Sequence, residues 1–324
     1  MNPLAALGLP VVEADLARLE PLLAQSVETG DQFLDEVTTH LIHAGGKRLR
    51  PLMALAAATA GEDPASLDDL MGAVSVELVH LASLYHDDVM DEAVVRRNVE
   101  SVNARYGNLV AIVAGDYLLA RSAAIAAELG TEIASVIAHT LALLTQGQVS
   151  EVRTAFSVDR TREDYYTAIG GKTAALMATA CRVGALTAGR PRDEVEALTT
   201  FGRSFGMMYQ LRDDVLDVTA TEGQLGKPAG QDLAEGIYTL PVLVALEDPE
   251  VGAELRSLLG APLGEPEREK ARALVEASAG IAATVAEGHR FAAEARAAAA
   301  ALPSSALAEG FGALGALLLE DLPA

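Results

Sequence analysis

The 324-residue chain contains one cysteine, no tryptophan and few aromatic residues, 4% in all. A single thiol, Cys181, cannot form an intramolecular disulfide framework and fits a reducing compartment. With so few rings, a core must be built from Ala, Leu and Val, an alphabet that favours closely packed helices. Basic residues are also short: 24 Lys and Arg stand against 46 Asp and Glu, for a net charge of −22. That balance argues against a nucleic-acid binder and against a polybasic membrane anchor. The first ten residues have no basic, apolar leader pattern, and no run of eighteen apolar residues lacks a charge. The expectation is a protein of the cytoplasm without a transmembrane segment.

Strand-like alternation is missing as well. Apolar residues instead recur at helical spacing almost throughout, interrupted at Gly61, Pro64, Gly107, Gly130, Gly189 to Pro191, Gly223 to Gly230, Pro262 and Pro303. The spacing predicts long helices over 12–28, 31–43, 48–60, 65–92, 109–129, 131–156, 162–188 and 192–219, with shorter ones from about 239 onward. Half of the residues are hydrophobic, which is enough for a sizeable core. No solenoid repeat and no long linker divides the chain. The predicted fold class is all-α: one domain, residues 1–324, a bundle of long helices around a central cavity.

Lysine is rarer still, with four among the 24 basic residues: Lys47, Lys172, Lys227 and Lys270. Lys270 lies in an ordinary charged run. The other three fall within motifs that carry chemistry.

The sharpest of these is Asp87-Asp88-Val89-Met90-Asp91 at the end of a predicted long helix. Residues four apart share a helix face, so Asp87 and Asp91 project together. Like charges repel there, and the last helical turn is the wrong end of the macrodipole for anions. A divalent cation would resolve both conflicts. Asp213-Asp214-Val215-Leu216-Asp217 repeats the spacing late in another helix. One such string in an acidic chain is ordinarily a solvated face, but two copies flanked by apolar helix point to a shared site. Carboxylates without His or Cys suit Mg²⁺, which keeps water and shares substrate phosphates. The cations gather around: Lys47, Arg48 and Arg50 in Gly45 to Pro51, Arg96-Arg97 beyond the first cluster, Lys172 in a small-residue helix, and Lys227 ten residues after Asp217. Cations beside acidic clusters suggest a metal-bridged anion, a diphosphate. Taken alone, Arg96-Arg97 could equally be a helix-dipole complement, and His80 a core histidine.

In order and spacing, Gly45 to Pro51, His80 to Asp91 with Arg96-Arg97, Lys172-Thr173, and Tyr209-Gln210 through Asp217 to Thr239-Leu240-Pro241 resemble the motifs of the trans-isoprenyl diphosphate synthases. The resemblance spans roughly residues 40 to 245. It implies the isoprenoid-synthase fold, usually as a homodimer, and about three Mg²⁺ held by Asp87, Asp88, Asp91, Asp213, Asp214 and Asp217, some through water. Arg96, Lys172 and Lys227 would hold an allylic diphosphate. Lys47, Arg50, His80 and Arg97 would bind isopentenyl diphosphate, and Thr173 and Gln210 would flank the cationic carbon. The chain departs from the family pattern at Asn98 to Ser101, where Gly and Pro-Thr are common, at Tyr209, where Phe is usual, and at Ile237, where many relatives carry Lys. Gly170-Gly171, which weaken a helix, have no evident role in the sequence.

Counting back from Asp87 at helical spacing gives Ser83, Val79, Val76, Ser75 and Gly72, with Ala82 on the next row. By analogy with the family, an aromatic four or five residues before the motif stops chain growth. Ser83 and Ala82 leave the path open, so the expected product is a polyprenyl diphosphate longer than C20, unless Met177, Phe205 or Tyr117 forms a floor. The alternatives are a short-chain farnesyl or geranylgeranyl synthase, a class I terpene cyclase, disfavoured by the scarcity of aromatics, and a non-catalytic synthase subunit, disfavoured because both acidic clusters are complete.

Overall fold

The computed structural model describes residues 2–59, 63–220, 229–320 and 322. Among these, the chain folds as α1 (Pro3–Leu7), α2 (Pro10–Gln25), α3 (Gln32–His43), α4 (Leu49–Ala58), α5 (Leu67–Met90), strands β1 (Val95–Arg96) and β2 (Val99–Glu100), α6 (Val102–Tyr106), α7 (Asn108–Leu129), α8 (Thr131–Thr154) and α9 (Arg162–Ile169). A π-helical turn (Gly170–Ala174) links α9 to α10 (Ala175–Thr187), followed by α11 (Arg192–Thr219), α12 (Gln231–Ala234), α13 (Leu240–Leu246), α14 (Gly252–Leu258), α15 (Glu265–Ala277), α16 (Gly280–Ala300) and α17 (Ser305–Leu317). The all-α expectation holds, and seven of the eight predicted long helices are present within a few residues at each end, while the eighth, 162–188, is divided into α9, the π turn and α10.

Local chemistry sets the boundaries. Ser66 caps α5 in a reciprocal box: its hydroxyl accepts from the Asp69 amide, and the Asp69 carboxylate accepts from the Ser66 amide. Thr161 and Asp164 do the same for α9. Gly107 and Gly130, both at positive φ, bracket α7. Three details were not foreseen: the small β1–β2 hairpin, the π turn, and the 21-residue length of α16.

The buried α5 and α10 form the centre. α5 packs on α7, α4, α10 and α2, while α10 lies against α11, α4 and α8, and α16 covers α11. The scarcity of rings is answered by close helix crossings. A Cβ on Gly184 would sit 1.9 Å from the Ala54 carbonyl oxygen, and one on Gly202 would sit 2.6 Å from that of Met177. These crossings bring α5, α8, α10 and α11 together with their chemistry-bearing ends on one cavity system.

Candidate active site

α5 ends at the first acidic cluster, where Asp91 turns out of the helix while its amide still donates to the Asp87 carbonyl at 2.8 Å. The three carboxylates part company. Burial, together with the charge of Asp91, raises the Asp87 carboxyl to about 6, against the opposing pull of Lys172. Asp91 is exposed and raised less, again by desolvation. Asp88 points elsewhere: it is fully buried, and its Oδ1 accepts from Arg96 Nε at 2.7 Å and Nη2 at 2.5 Å. Asp88 and Arg96, expected at the metal and at a diphosphate respectively, are thus bound to each other.

The second cluster divides in the same way. Asp213 is partly exposed, whereas Asp214 and Asp217 are buried. The Tyr165 hydroxyl donates to Asp214 Oδ2 at 2.5 Å and Gln210 Nε2 donates to Oδ1 at 2.9 Å, yet burial still lifts the Asp214 carboxyl to about 7. Because Gln210 turns its nitrogen to Asp214, its oxygen faces Thr173, whose hydroxyl donates to it at 3.0 Å. The Asp217 carboxylate accepts from the amide of Asp232 at 3.3 Å.

Lys172 joins the two sides. A cavity of about 190 Å³ is walled by Glu151, Arg160, Tyr165, Ile169, Lys172, Thr173, Gln210, Asp214, Asp232, Ile237 and Thr239. A second, of about 500 Å³, runs from Asp87 and Lys172 past Ser83 to Val79, with Leu119, Leu141 and Leu144 opposite. Lys172 borders both, and its ammonium pairs with Glu151. The π turn presents it. A Cβ on Gly171 would stand 2.5 Å from the Leu143 carbonyl oxygen and 2.9 Å from Gly147 Cα, so paired glycines let α8 and the turn touch. Gly170 faces open space. The glycine pair without an evident sequence role therefore sets the approach of the segment carrying Lys172 and Thr173.

A third group of residues gathers where the hairpin, the start of α4 and the middle of α5 meet. Arg97 and Asn98 form the two-residue turn of the hairpin, with φ of 53° and 63°. Both values are in the left-handed region that such a turn requires and that Asn or Gly best adopts. Asn98 is a residue type suited to that backbone demand. The Arg97 guanidinium donates to the Leu41 and Gly45 carbonyls, and a side chain on Gly46 would strike it at 2.9 Å. Arg48 turns inward, donating to Glu20 Oε1 at 2.7 Å and to buried Glu77 Oε1 at 3.0 Å. Burial first, then the charges of Arg50, Arg97, Arg48 and Arg96, keep His80 neutral, its pKa well below the usual range. Arg50 is itself desolvated, and its Nε is buried without a partner. Lys47 is exposed, and Lys227 lies outside the described residues. Burial, and then the Asp213 charge, raise the phenol of Tyr209.

The chain-length stripe needs correction. Ser83 and Val79 line the larger cavity, but Ala82 is fully buried and is not in its wall; Val76, Ser75 and Gly72 are not there either. Gly72 meets Val183 and Thr187 of α10 instead. Of the expected floor residues, Met177 and Phe205 are core, and neither they nor Tyr117 line the cavity; the opposite wall comes from α7 and α8. Sequence reasoning also missed Glu77, Glu151, Arg160 and Tyr165. Glu77 was legible as a lone carboxylate in the apolar run Val74 to Leu81. The others come from α8, α9 and their connection, and their meeting depends on tertiary packing.

Among the described residues, no three His, Cys, Asp or Glu side chains form a metal-holding group by themselves. The donors are nevertheless all-oxygen, and burial leaves Asp87 and Asp214 unfavourably ionised. This fits a hard divalent cation that completes its shell with water and phosphate oxygens.

The family model for polyprenyl synthetases matches residues 31–277. A nonaprenyl diphosphate synthase of Mycobacterium tuberculosis is 40% identical over 90% of this chain and 88% of its own. A decaprenyl diphosphate synthase structure from Rhodobacter capsulatus superposes with a TM-score of 0.89 at 32% identity, covering 97% and 98% of the two chains. The geranylgeranyl pyrophosphate synthase of Corynebacterium glutamicum, solved with calcium and isoprenyl diphosphate, gives a TM-score of 0.86 at 38% identity over 97% and 96%. With both acidic clusters, the lysine between them and the arginine turn in place, the chain belongs to the polyprenyl synthetase family and is a prenyl-transferring enzyme.

Proposed function

We propose that this single-domain protein condenses an allylic diphosphate with isopentenyl diphosphate and releases a polyprenyl diphosphate longer than C20. The observation that carries the reading is the shared position of Lys172, which borders both the carboxylate-lined cavity and the aliphatic one. Asp87, Asp91, Asp213, Asp214 and Asp217 would hold about three Mg²⁺, with Asp88 orienting Arg96 rather than ligating. Bound Mg²⁺ supplies charge neutralisation for the departing diphosphate.

The chain's own residues do the rest. Lys172, with Lys227, holds the allylic diphosphate. The Thr173 hydroxyl spends its hydrogen on Gln210, so its lone pairs face the carbon that becomes cationic. Lys47, Arg50, His80 and Arg97 hold isopentenyl diphosphate, to which the neutral imidazole can donate one hydrogen bond. The allylic C–O bond breaks with its electron pair on the diphosphate. The isopentenyl double bond then attacks the allylic carbon, and the resulting tertiary cation loses a proton to the released diphosphate. No protein nucleophile is needed.

Product length is argued from the larger cavity. No Phe, Tyr or Trp lines it, and beyond Ser83 its walls are mainly aliphatic. Family membership alone leaves both C20 and longer products open, as the relatives' own names illustrate.

α7 is long and apolar enough to cross a membrane by length and composition alone, and it carries Asp116, Arg121 and Glu128. Its outward Leu109 and Val113 (75% and 55% exposed), with exposed Val149 and Val152 of the neighbouring α8, support a homodimer sealed through this face.

The test is incubation of the purified chain with farnesyl diphosphate, isopentenyl diphosphate and Mg²⁺, followed by chromatography of the products. Products beyond C20 are expected, and Ser83→Phe should shorten them. Growth that ends at C20 in the unmodified enzyme overturns the long-chain reading, and failure to consume isopentenyl diphosphate overturns the condensation.

A further inference from the structure

Arg160 lies in the connection between α8 and α9 and is 6% exposed. Its Nη1 donates to the Tyr238 carbonyl at 3.1 Å, its guanidinium carbon stands 5.8 Å from the Tyr165 ring centre, and its Nε is buried without a partner. Among the described residues no carboxylate lies within ion-pair distance of it, although it borders the same 190 Å³ cavity as Glu151 and Asp214. A buried guanidinium without an ion pair and with an idle donor is costly to keep. Arg48, by contrast, satisfies Glu20 and Glu77, and Arg97 satisfies two backbone carbonyls, while Arg50, the other arginine described above with an unpartnered buried Nε, is the one assigned to isopentenyl diphosphate.

The cavity indicates what the idle donor serves. Its wall also carries Lys172, whose ammonium is held by Glu151, together with Thr173, Gln210, Thr239 and Asp232. Ile237 and Ile169 add apolar surface, and among the described lining residues Arg160 and Lys172 are the two cations. A ligand that supplies acceptors to both must be anionic and must have oxygens spread over several ångströms, as a diphosphate does. A guanidinium also offers a planar fork that phosphate oxygens match.

We propose that Arg160 is a substrate-binding residue that donates to the diphosphate of the allylic substrate from the wall where Ile237 carries no charge. The proposal rests on the reading given above and adds a residue to it. Binding lets Arg160 use its idle donor while it keeps the Tyr238 carbonyl, and Tyr165 beneath it continues to orient Asp214.

The experiment is calorimetric titration of inorganic pyrophosphate with Mg²⁺ into the intact enzyme, with KM measured separately for the allylic substrate and for isopentenyl diphosphate. Arg160→Gln should weaken pyrophosphate binding by roughly ten- to a hundredfold, the range for one charge-assisted hydrogen bond. It should raise the allylic KM while leaving that for isopentenyl diphosphate unchanged. Arg160→Lys should recover part of the loss, and Arg160→Gln with Ile237→Lys should recover more, because a cation returns on the adjoining wall. Unchanged pyrophosphate binding in Arg160→Gln overturns the assignment, as does a loss that neither cationic variant restores. In the second case the side chain merely ties down the Tyr238 carbonyl. If Arg160→Gln does not fold, Ile237→Lys alone decides: tighter pyrophosphate binding supports an anion in this cavity, and unaltered binding rejects it. An unmodified enzyme that neither binds pyrophosphate with Mg²⁺ nor turns over would instead defeat the broader function, so the two failures are separable.

Discussion

Asp87 and Asp214 are carboxyls whose burial works against their charge, with pKa values raised to about 6 and about 7. A carboxyl bound more tightly to its proton in the folded chain stabilises that chain fully below its unfolded pKa near 3.8, and the contribution is lost as pH rises through the folded value. Metal-free protein should therefore melt at a lower temperature at about pH 8 than at about pH 5, and Mg²⁺ should restore more at the higher pH. Thermal melts with and without Mg²⁺ check this, and an equal metal effect at both pH values contradicts it. Asp87→Ala and Asp214→Ala should lower turnover by orders of magnitude while the helical circular dichroism stays intact. Asp88→Asn differs from both, since it frees Arg96 without removing an inward-facing carboxylate. Its loss of activity should be the smaller one.

At the scale of elements, the π turn and the hairpin hold the site's geometry. Gly171→Ala forces a methyl onto the Leu143 carbonyl and Gly147, and overpacking of this kind costs about 1–3 kcal/mol. Gly170→Ala meets nothing, has helical φ and ψ, and should stabilise by up to about 1 kcal/mol. Denaturant melts of the two single variants separate them, and similar values for both would refute the close crossing. At the hairpin, Asn98→Gly should be nearly silent, whereas Asn98→Val puts a branched residue at φ 63° and should cost about 1–2 kcal/mol. Because that turn also carries Arg97, the valine variant should raise KM for isopentenyl diphosphate more than for the allylic substrate. Ala82→Phe, the natural choice from sequence spacing alone, should destabilise the core rather than shorten the product, because Ala82 is not in the cavity wall.

For the whole molecule, the exposed faces of α7 and α8 give the decisive test. Val113→Asp places a charge on the apolar face proposed to seal the dimer, and sedimentation should then report a monomer. A charge on this scale is negligible against the chain's −22, so any change in assembly comes from the interface itself. If the unmodified protein already sediments as a monomer, the face has another occupant.

What the sequence determined by itself was the periodic part of the molecule. Helical spacing and glycine or capping punctuation located the long helices, because those signals are local and repeat along the chain. The two acidic clusters were legible because their charge conflicts with their helical setting, whereas the lysine before Thr173 and the paired arginines stood out only through their order and spacing beside those clusters. Tertiary structure alone decided how these strings share the work. Asp88 and Asp91 are neighbours of Asp87 in sequence, but packing buries one against Arg96 and exposes the other. Ser83 and Ala82 are adjacent, yet a rotation of one residue about α5 puts the first in the cavity and the second in the core. Tyr165 of α9 meets Asp214 of α11, and Gly147 of α8 meets Gly171 of the π turn, contacts between residues far apart in the chain that no local pattern encodes.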